Sequence, residues 1–278
     1  MTKPQHAADY DVTHTELAER VLLEVWGRLG EFHDFLVLVG GLVPRYLVPQ
    51  NVEMAASPPV HCGTMDVDLG VSLAVANAKT YETIREALTG RLGFEPGRNR
   101  EGREQRHSFV KAISGVPVNL DFLTSQYGGP KTVVRAVERS LSAIQVEGLG
   151  LALKNPVKVA IGGVSLSGGK TVETVNVCRP VPFVVLKALA FEKRREPKDV
   201  YDLVYVLRFL KDGPSSVAAE VTREEKAAAS FAHAVESLRT RFQTPEHDGP
   251  VAYAEFVGRE AGATAQAFAA VQEFLATV

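Results

Sequence analysis

Apolar residues recur at helical spacing between Thr13 and Leu29, at Leu17, Val21, Leu22, Val25, Trp26 and Leu29. This predicts an amphipathic helix capped by Thr13 or Thr15, with Trp26 on the core face. Phe35 to Val39 is an apolar run of strand length that stops at the glycine pair Gly40-Gly41, and Leu42 to Leu47 then opens a helix that tolerates Pro44 in its first turn. From Thr64 to Leu69 the pattern alternates. Asp66 and Asp68 fall on one face of a strand, while Met65, Val67 and Leu69 fall on the other. Tyr81 to Leu92 predicts a helix stopped by Gly93. Ser108 to Ile113 and Val116 to Leu123 predict a hairpin about Ser114-Gly115, with Asn119 and Asp121 opposite Val118, Leu120 and Phe122. Short strands follow over Val157 to Ile161, Val164 to Leu166 and Thr171 to Val177, punctuated by Gly162-Gly163 and Gly168-Gly169.

At Pro180 the character changes to helices through to Val278. Pro182 to Lys193 predicts one helix, and Pro197 starts the next, because proline favours the first helical position. Glu224 to Phe242 reads as a further helix. A break follows at Thr244 to Pro250, then one or two alanine-rich helices. The fold class is therefore α/β (α+β), a mixed sheet with flanking helices over 1–178 followed by an α-helical domain over 179–278. The segment Pro49 to Gly63 is rich in Pro, Ser, Ala and Asn and long for a connection, which suggests a mobile flap.

Composition narrows the function classes. A chain of 278 residues, 45% hydrophobic and 23% charged, has the balance of a globular protein with a sizeable core. The formal charge of -2 gives no global attraction to nucleic acid or to an anionic membrane, so contact with a polyanion needs a local patch. Only Cys62 and Cys178 are present, which excludes a disulfide framework and fits a reducing cytoplasm. No apolar run reaches the length of a membrane span.

The chemistry concentrates in three places. Gly40-Gly41 at a strand-to-helix junction lets backbone N–H groups approach a phosphate. Asp66 and Asp68 repel one another on one strand face, and hard carboxylate oxygens suit Mg²⁺ or Mn²⁺ bound alongside substrate phosphates. An isolated Asp-x-Asp is more often a solvated strand end; the upstream glycine pair changes the balance by adding a phosphate cradle. Asp121, flanked by Leu120 and Phe122, is a third carboxylate that must face a ligand, a cation or the sheet edge.

Other features are weaker. Arg91, Arg98, Arg100, Arg103, Arg106 and Lys111 outnumber Glu95, Glu101 and Glu104 in one stretch, forming a local basic patch on a hairpin. A solvated loop with interspersed charges is the bland alternative. Lys198 and Asp202 lie four apart, the spacing of a helical surface ion pair. His61-Cys62 reads as loop chemistry, and Gly168-Gly169-Lys170-Thr171 as a turn, since the Walker spacing is absent.

Taken in order, Gly40-Gly41, Thr64-x-Asp66-x-Asp68, Asp121, Lys187 and Lys198-Asp199-x-x-Asp202 resemble the nucleotidyltransferase superfamily. Val185-Leu186-Lys187-Ala188-Leu189 and Pro197-Lys198-Asp199-Val200-Tyr201-Asp202-Leu203 resemble its AbiEii-type toxins of toxin–antitoxin and phage-defence systems. The resemblance spans about Phe35 to Leu207 and departs at Cys62, where the family often has a basic residue. It implies a nucleotidyltransferase catalytic domain over 1–178 that releases pyrophosphate from an NTP. It further implies that Asp66, Asp68 and Asp121 hold the divalent metal and that Gly40, Gly41, Thr64, Lys187 and Lys198 contact the nucleotide. Asp202 would orient the acceptor hydroxyl or act as its base. The implied acceptor is the tRNA 3′ end, with RNA contact at Arg98, Arg100, Arg103 and Arg106, and a cognate antitoxin protein is an expected partner. An antibiotic-modifying nucleotidyltransferase, a non-catalytic nucleotide-binding or antitoxin module, and a nucleotide-sensing regulator are the alternatives.

Overall fold

The computed structural model describes residues 4–49, 59–77, 83–126, 134–137 and 140–278. Most of the expected flap, at 50–58, and the expected helix start at Tyr81 lie outside the described residues. The chain divides into two compact units, one formed by 12–43 and 63–178, the other by 1–11, 44–62 and 179–278.

The first unit is built on a nine-stranded mixed sheet. Its strands are β1 (Leu36–Val39), β2 (Asp66–Val71), β3 (Glu95–Arg98), β4 (Glu104–Ile113) and β5 (Val116–Ser125). Four more complete it: β6 (Val134–Ala136), β7 (Ser142–Val146), β8 (Val157–Val164) and β9 (Lys170–Val177). The spatial order is β3-β4-β5-β2-β1-β9-β8, with β7 also along β5 and β6 beside β7. Strand β2 runs parallel to β5 and antiparallel to β1, and β1 runs parallel to β9. The helix α1 (Val12–Arg28) packs on β2, β5, β8 and β9 through the apolar stripe read from the sequence, and Val21, Leu22, Val25 and Trp26 are fully buried. Trp26 Nε1 donates to Thr174 O at 2.9 Å, which satisfies its buried polar edge.

Two local expectations change. Helix α1 begins at Val12, so Thr13 and Thr15 lie inside it and neither is the cap. The Thr15 hydroxyl instead bonds both the N–H and the C=O of Thr64, each at 3.1 Å, and fixes the entry to β2. Gly162-Gly163 does not interrupt the strand, since β8 pairs with β9 continuously from Val157↔Val177 to Val164↔Lys170. Gly163 is needed for packing: Leu23 Cδ1 lies 2.6 Å from where its Cβ would be, which lets α1 approach the strand. The hairpin about Ser114-Gly115 is present, with both residues at positive φ as a tight turn demands.

Short helices connect the strands: α2 (Val43–Leu47), which passes from the first unit into the second, α3 (Ile84–Glu86), continued as a π-turn over Ala87–Arg91, and α4 (Leu149–Ala152). The second unit is helical. It contains α5 (Pro180–Arg194), α6 (Pro197–Phe209), α7 (Pro214–Ala219), α8 (Arg223–Lys226), α9 (Ala229–Arg241), α10 (Asp248–Phe256) and α11 (Ala263–Thr277). Proline stands at the first position of α5, α6 and α7, where its missing N–H costs nothing. Glu224 to Phe242 is two helices. A Thr222–Glu225 capping box starts a four-residue α8, and the extended backbone at Ala228 separates it from α9. Helix α6 packs against α5, α10 and α11, and its Val200, Leu203, Val204, Val206 and Leu207 are buried. Among the described residues no helix is long and apolar enough to cross a membrane.

Candidate functional site

In the sheet unit, pairing places the predicted carboxylates side by side. Asp68 is in register with Asp121 and Asp66 with Asn119 across the parallel β2–β5 pair. Val67 and Leu120, and Leu69 and Phe122, pair between them and are fully buried, so the polar set occupies the opposite face. Asn119 Nδ2 donates to Asp66 Oδ1 at 2.9 Å, which fixes that carboxylate. Ser108 of β4 continues the row beyond Asp121.

Gly40 follows β1 directly, where Val39 pairs with Asp68. Its φ is +72°, and a Cβ there would lie 1.9 Å from Asp68 Oδ2. The glycine therefore serves the seating of Asp68, in addition to the conformational freedom that a strand-to-helix junction requires. Gly41 is buried in the same turn. Thr64 is also buried; its backbone is held by Thr15, and its Oγ1 accepts from the N–H of Asp66 at 3.4 Å.

Three carboxylates on one sheet face, one seated by a glycine and one oriented by an amide, offer the all-oxygen donor chemistry of a magnesium site. Among the described residues no group of three or more His, Cys, Asp or Glu side chains is gathered closely enough to hold a metal ion by itself. His107 lies within the field of this row. Burial lowers its pKa, and the negative charge of Asp121 pulls it the other way.

In the helical unit, Lys187 of α5 and Lys198, Asp199 and Asp202 of α6 form a buried ion cluster. Lys187 Nζ donates to Asp199 Oδ1 at 3.1 Å and stands 2.6 Å from Asp202 Oδ2. The second contact is electrostatic, because Oδ2 has no partner in hydrogen-bond geometry. Lys198 Nζ donates to Asp202 Oδ1 at 2.7 Å and lies 5.3 Å from the Tyr10 ring centroid. Arg194 grips Asp199 through two bonds of 2.6 Å. The Lys198–Asp202 pair has the expected spacing, yet it is buried, with the Asp202 side chain 0% exposed.

Sequence reasoning missed His61. Its ring is fully buried and Nε2 lies 2.9 Å from Asp202 Oδ1. Burial takes its pKa down to about 4 against the opposing pull of Asp202, so the ring is neutral at pH 7. An ionised carboxylate only accepts, and Nε2 therefore carries the proton that it donates. Burial pushes the Asp202 pKa up, but Lys187, Lys198 and His61 outweigh it and hold the carboxyl well below the usual range. Burial pulls both lysines down, and Asp202, with lesser help, more than reverses this.

The basic patch resolves into unequal parts. Strands β3 and β4 form the expected hairpin, with Arg98 Nη1 donating to Gly102 O at 2.9 Å and Arg103 paired with Glu101 at 3.3 Å. Lys111 is withdrawn onto Leu92 O and the Phe94 ring. Arg106 lines an open cleft with Arg85, Glu86, Glu104, Thr83 and Ser140, in which Arg85 is paired with Glu104 at 2.8 Å and Glu86 with Thr83. Neither Arg100 nor Arg106 has an acidic partner among the described residues.

Comparison with protein-family models and with curated proteins finds no match for this chain.

Proposed function

We propose that the chain is a metal-dependent nucleotidyltransferase that moves a nucleoside monophosphate from an NTP onto an acceptor hydroxyl. The observation that carries this reading is the seat of Asp68: a carboxylate in register with Asp121 and pressed against Gly40, at a position where the backbone has no Cβ to exclude it. A surface strand end with solvated aspartates needs no such seat. In the proposed reaction the acceptor oxygen bonds to the α-phosphorus, the bond from that phosphorus to the bridging oxygen of the β-phosphate breaks, and pyrophosphate leaves. The hydroxyl proton passes to a base or to solvent. A divalent cation held by Asp66, Asp68 and Asp121 would neutralise charge on the phosphates.

Asn119 keeps Asp66 aimed at the shared face, and Gly40 keeps Asp68 there. On the sequence resemblance, Lys187 and Lys198 would contact the nucleotide. Asp202, buried between them, suits the role of fixing these two cations better than that of presenting an oxygen to the acceptor. The tRNA 3′ end as acceptor, and a toxin role opposed by an antitoxin, extend the proposal on the sequence resemblance.

The test is incubation of the full chain with each α-labelled NTP, Mg²⁺, and one of three acceptor pools: total RNA, protein extract or a small cationic antibiotic. Label in RNA that disappears with Asp68→Ala is the expected result. Label in a small cationic drug and none in RNA would move the reading to antibiotic modification, and no label in any pool would overturn it.

A further inference from the structure

Three hydrogen bonds join the segment Pro59–Cys62 to one side of α6. Tyr205 OH donates to Pro59 O at 2.7 Å, His61 Nε2 donates to Asp202 Oδ1 at 2.9 Å, and the N–H of Cys62 donates to Tyr201 OH at 3.0 Å. The His61 ring is boxed by Tyr201 and Tyr205, with centroids at 5.1 and 4.8 Å. The two tyrosines already tie the segment at both ends, Pro59 and Cys62. His61 does something different, since it takes a place on the oxygen that Lys198 also uses and leaves Oδ2 facing Lys187. With one neutral donor and one ammonium on Oδ1, the carboxylate plane is fixed and so is the separation of the two lysines. A buried carboxylate without that neutral donor would rotate toward whichever cation offers the better contact.

We propose that His61 is a positioning residue that, through Asp202, sets the spacing of the Lys187 and Lys198 ammonium groups for the phosphates of the nucleotide. The inference rests on the nucleotidyltransferase reading for the ligand, but its geometric part does not.

The test uses the full chain and two readouts. In the first, acetic anhydride labels exposed amines and mass spectrometry scores Lys187 and Lys198. His61→Asn, whose amide falls short of Asp202, is expected to raise labelling of both lysines about fivefold, while His61→Gln, whose amide reaches, keeps it near wild type. Tyr205→Phe loosens the same segment without touching Asp202 and leaves labelling unchanged. Unchanged labelling in His61→Asn, or an equal rise in Tyr205→Phe, would overturn the proposal. If His61→Asn fails to fold, His61→Phe, which keeps an aromatic ring and has no donor, takes its place.

The second readout is calorimetric titration with Mg²⁺ and either inorganic tripolyphosphate or each of the four NTPs. The same variant is expected to weaken binding about tenfold, with recovery in His61→Gln. Raised labelling with unchanged triphosphate affinity would overturn the functional half. Raised labelling in a chain whose wild type binds no triphosphate would uphold the positioning role and remove the nucleotide reading instead.

Discussion

Asp68 Oδ2 sits 1.9 Å from the point where a side chain on Gly40 would begin, so the two positions exclude any pairing but glycine with a carboxylate in its present place. Gly40→Ala must therefore either displace Asp68 or move the end of β1. It must also hold a non-glycine residue at φ +72°, which alone costs about 1–2 kcal/mol. The expected outcome is a lower midpoint in thermal unfolding together with loss of nucleotide transfer. An alanine variant with normal stability and normal transfer would show that the contact does not matter.

Asp66→Ala and Asp68→Ala are expected to behave differently from Gly40→Ala. Both carboxylates are half-buried on the polar face of the sheet, and removing one relieves repulsion while leaving the Val67 and Leu69 side of the strand packed. Stability should be maintained or slightly raised, and transfer abolished. Asn119→Ala leaves the donor set intact but frees Asp66 to rotate, and about a tenfold loss of transfer is expected, in proportion to one hydrogen bond to a charged group. Circular dichroism and the labelled-triphosphate assay together check all three.

The buried cluster predicts an order of damage. Asp202→Ala leaves Lys187 with Asp199 alone and Lys198 without its ion-pair partner, so a loss of about 3–5 kcal/mol is expected by denaturant titration. Lys187→Ala leaves Asp202 paired with Lys198 and Asp199 paired with Arg194, so it should cost distinctly less while weakening triphosphate binding more than acceptor binding. A larger loss in Lys187→Ala than in Asp202→Ala would contradict the partner assignment.

His61 predicts a specific pH window. Its folded pKa, about 4, lies below the ordinary 6.5, so the unfolded chain binds this proton more readily. The stability contributed by neutral His61 is fully present above about pH 6.5 and declines as pH falls toward 4, by roughly 2–3 kcal/mol. Asp202, held below its ordinary value, loses its contribution only at lower pH still, so the two windows separate. Unfolding titrations between pH 7 and 4 should show this slope in the wild type and a flatter one in His61→Gln.

The sequence carried the frame of the molecule because period and punctuation are local signals. The alternation about Asp66 and Asp68, the turn at Ser114-Gly115 and the prolines opening α5 and α6 are all read within a few residues. What the sequence hid depends on distant pairings. Asn119 and Asp66 are 53 positions apart, and His61 and Asp202 are 141. Only the β2–β5 register, or the docking of a loop on a helix, reveals that they are partners. The same limit misassigned Thr15, whose hydroxyl suits a cap locally but is taken by Thr64. Gly163 reads as a strand break and is instead the clearance for Leu23.

The basic hairpin gives the last prediction, in which geometry divides four arginines that composition treats alike. Arg98 and Arg103 are committed to the turn between β3 and β4, through Gly102 O and Glu101, whereas Arg100 and Arg106 have no acidic partner among the described residues. Phosphate contacts release counterions only when the arginine is available to make them, and each such contact contributes about one unit to the slope of log affinity against log salt. If RNA is the acceptor, Arg100→Ala with Arg106→Ala should raise the acceptor KM and flatten its salt dependence. Arg98→Ala with Arg103→Ala should shift the slope less and lower the stability of the hairpin. Turnover at saturating RNA should hardly move in either pair, because residues outside the carboxylate row supply uniform binding and no contact confined to the transition state. Equal slopes for the two pairs would mean that the acceptor does not lie on this hairpin, and a fall in turnover without a change in KM would place these arginines in the chemistry.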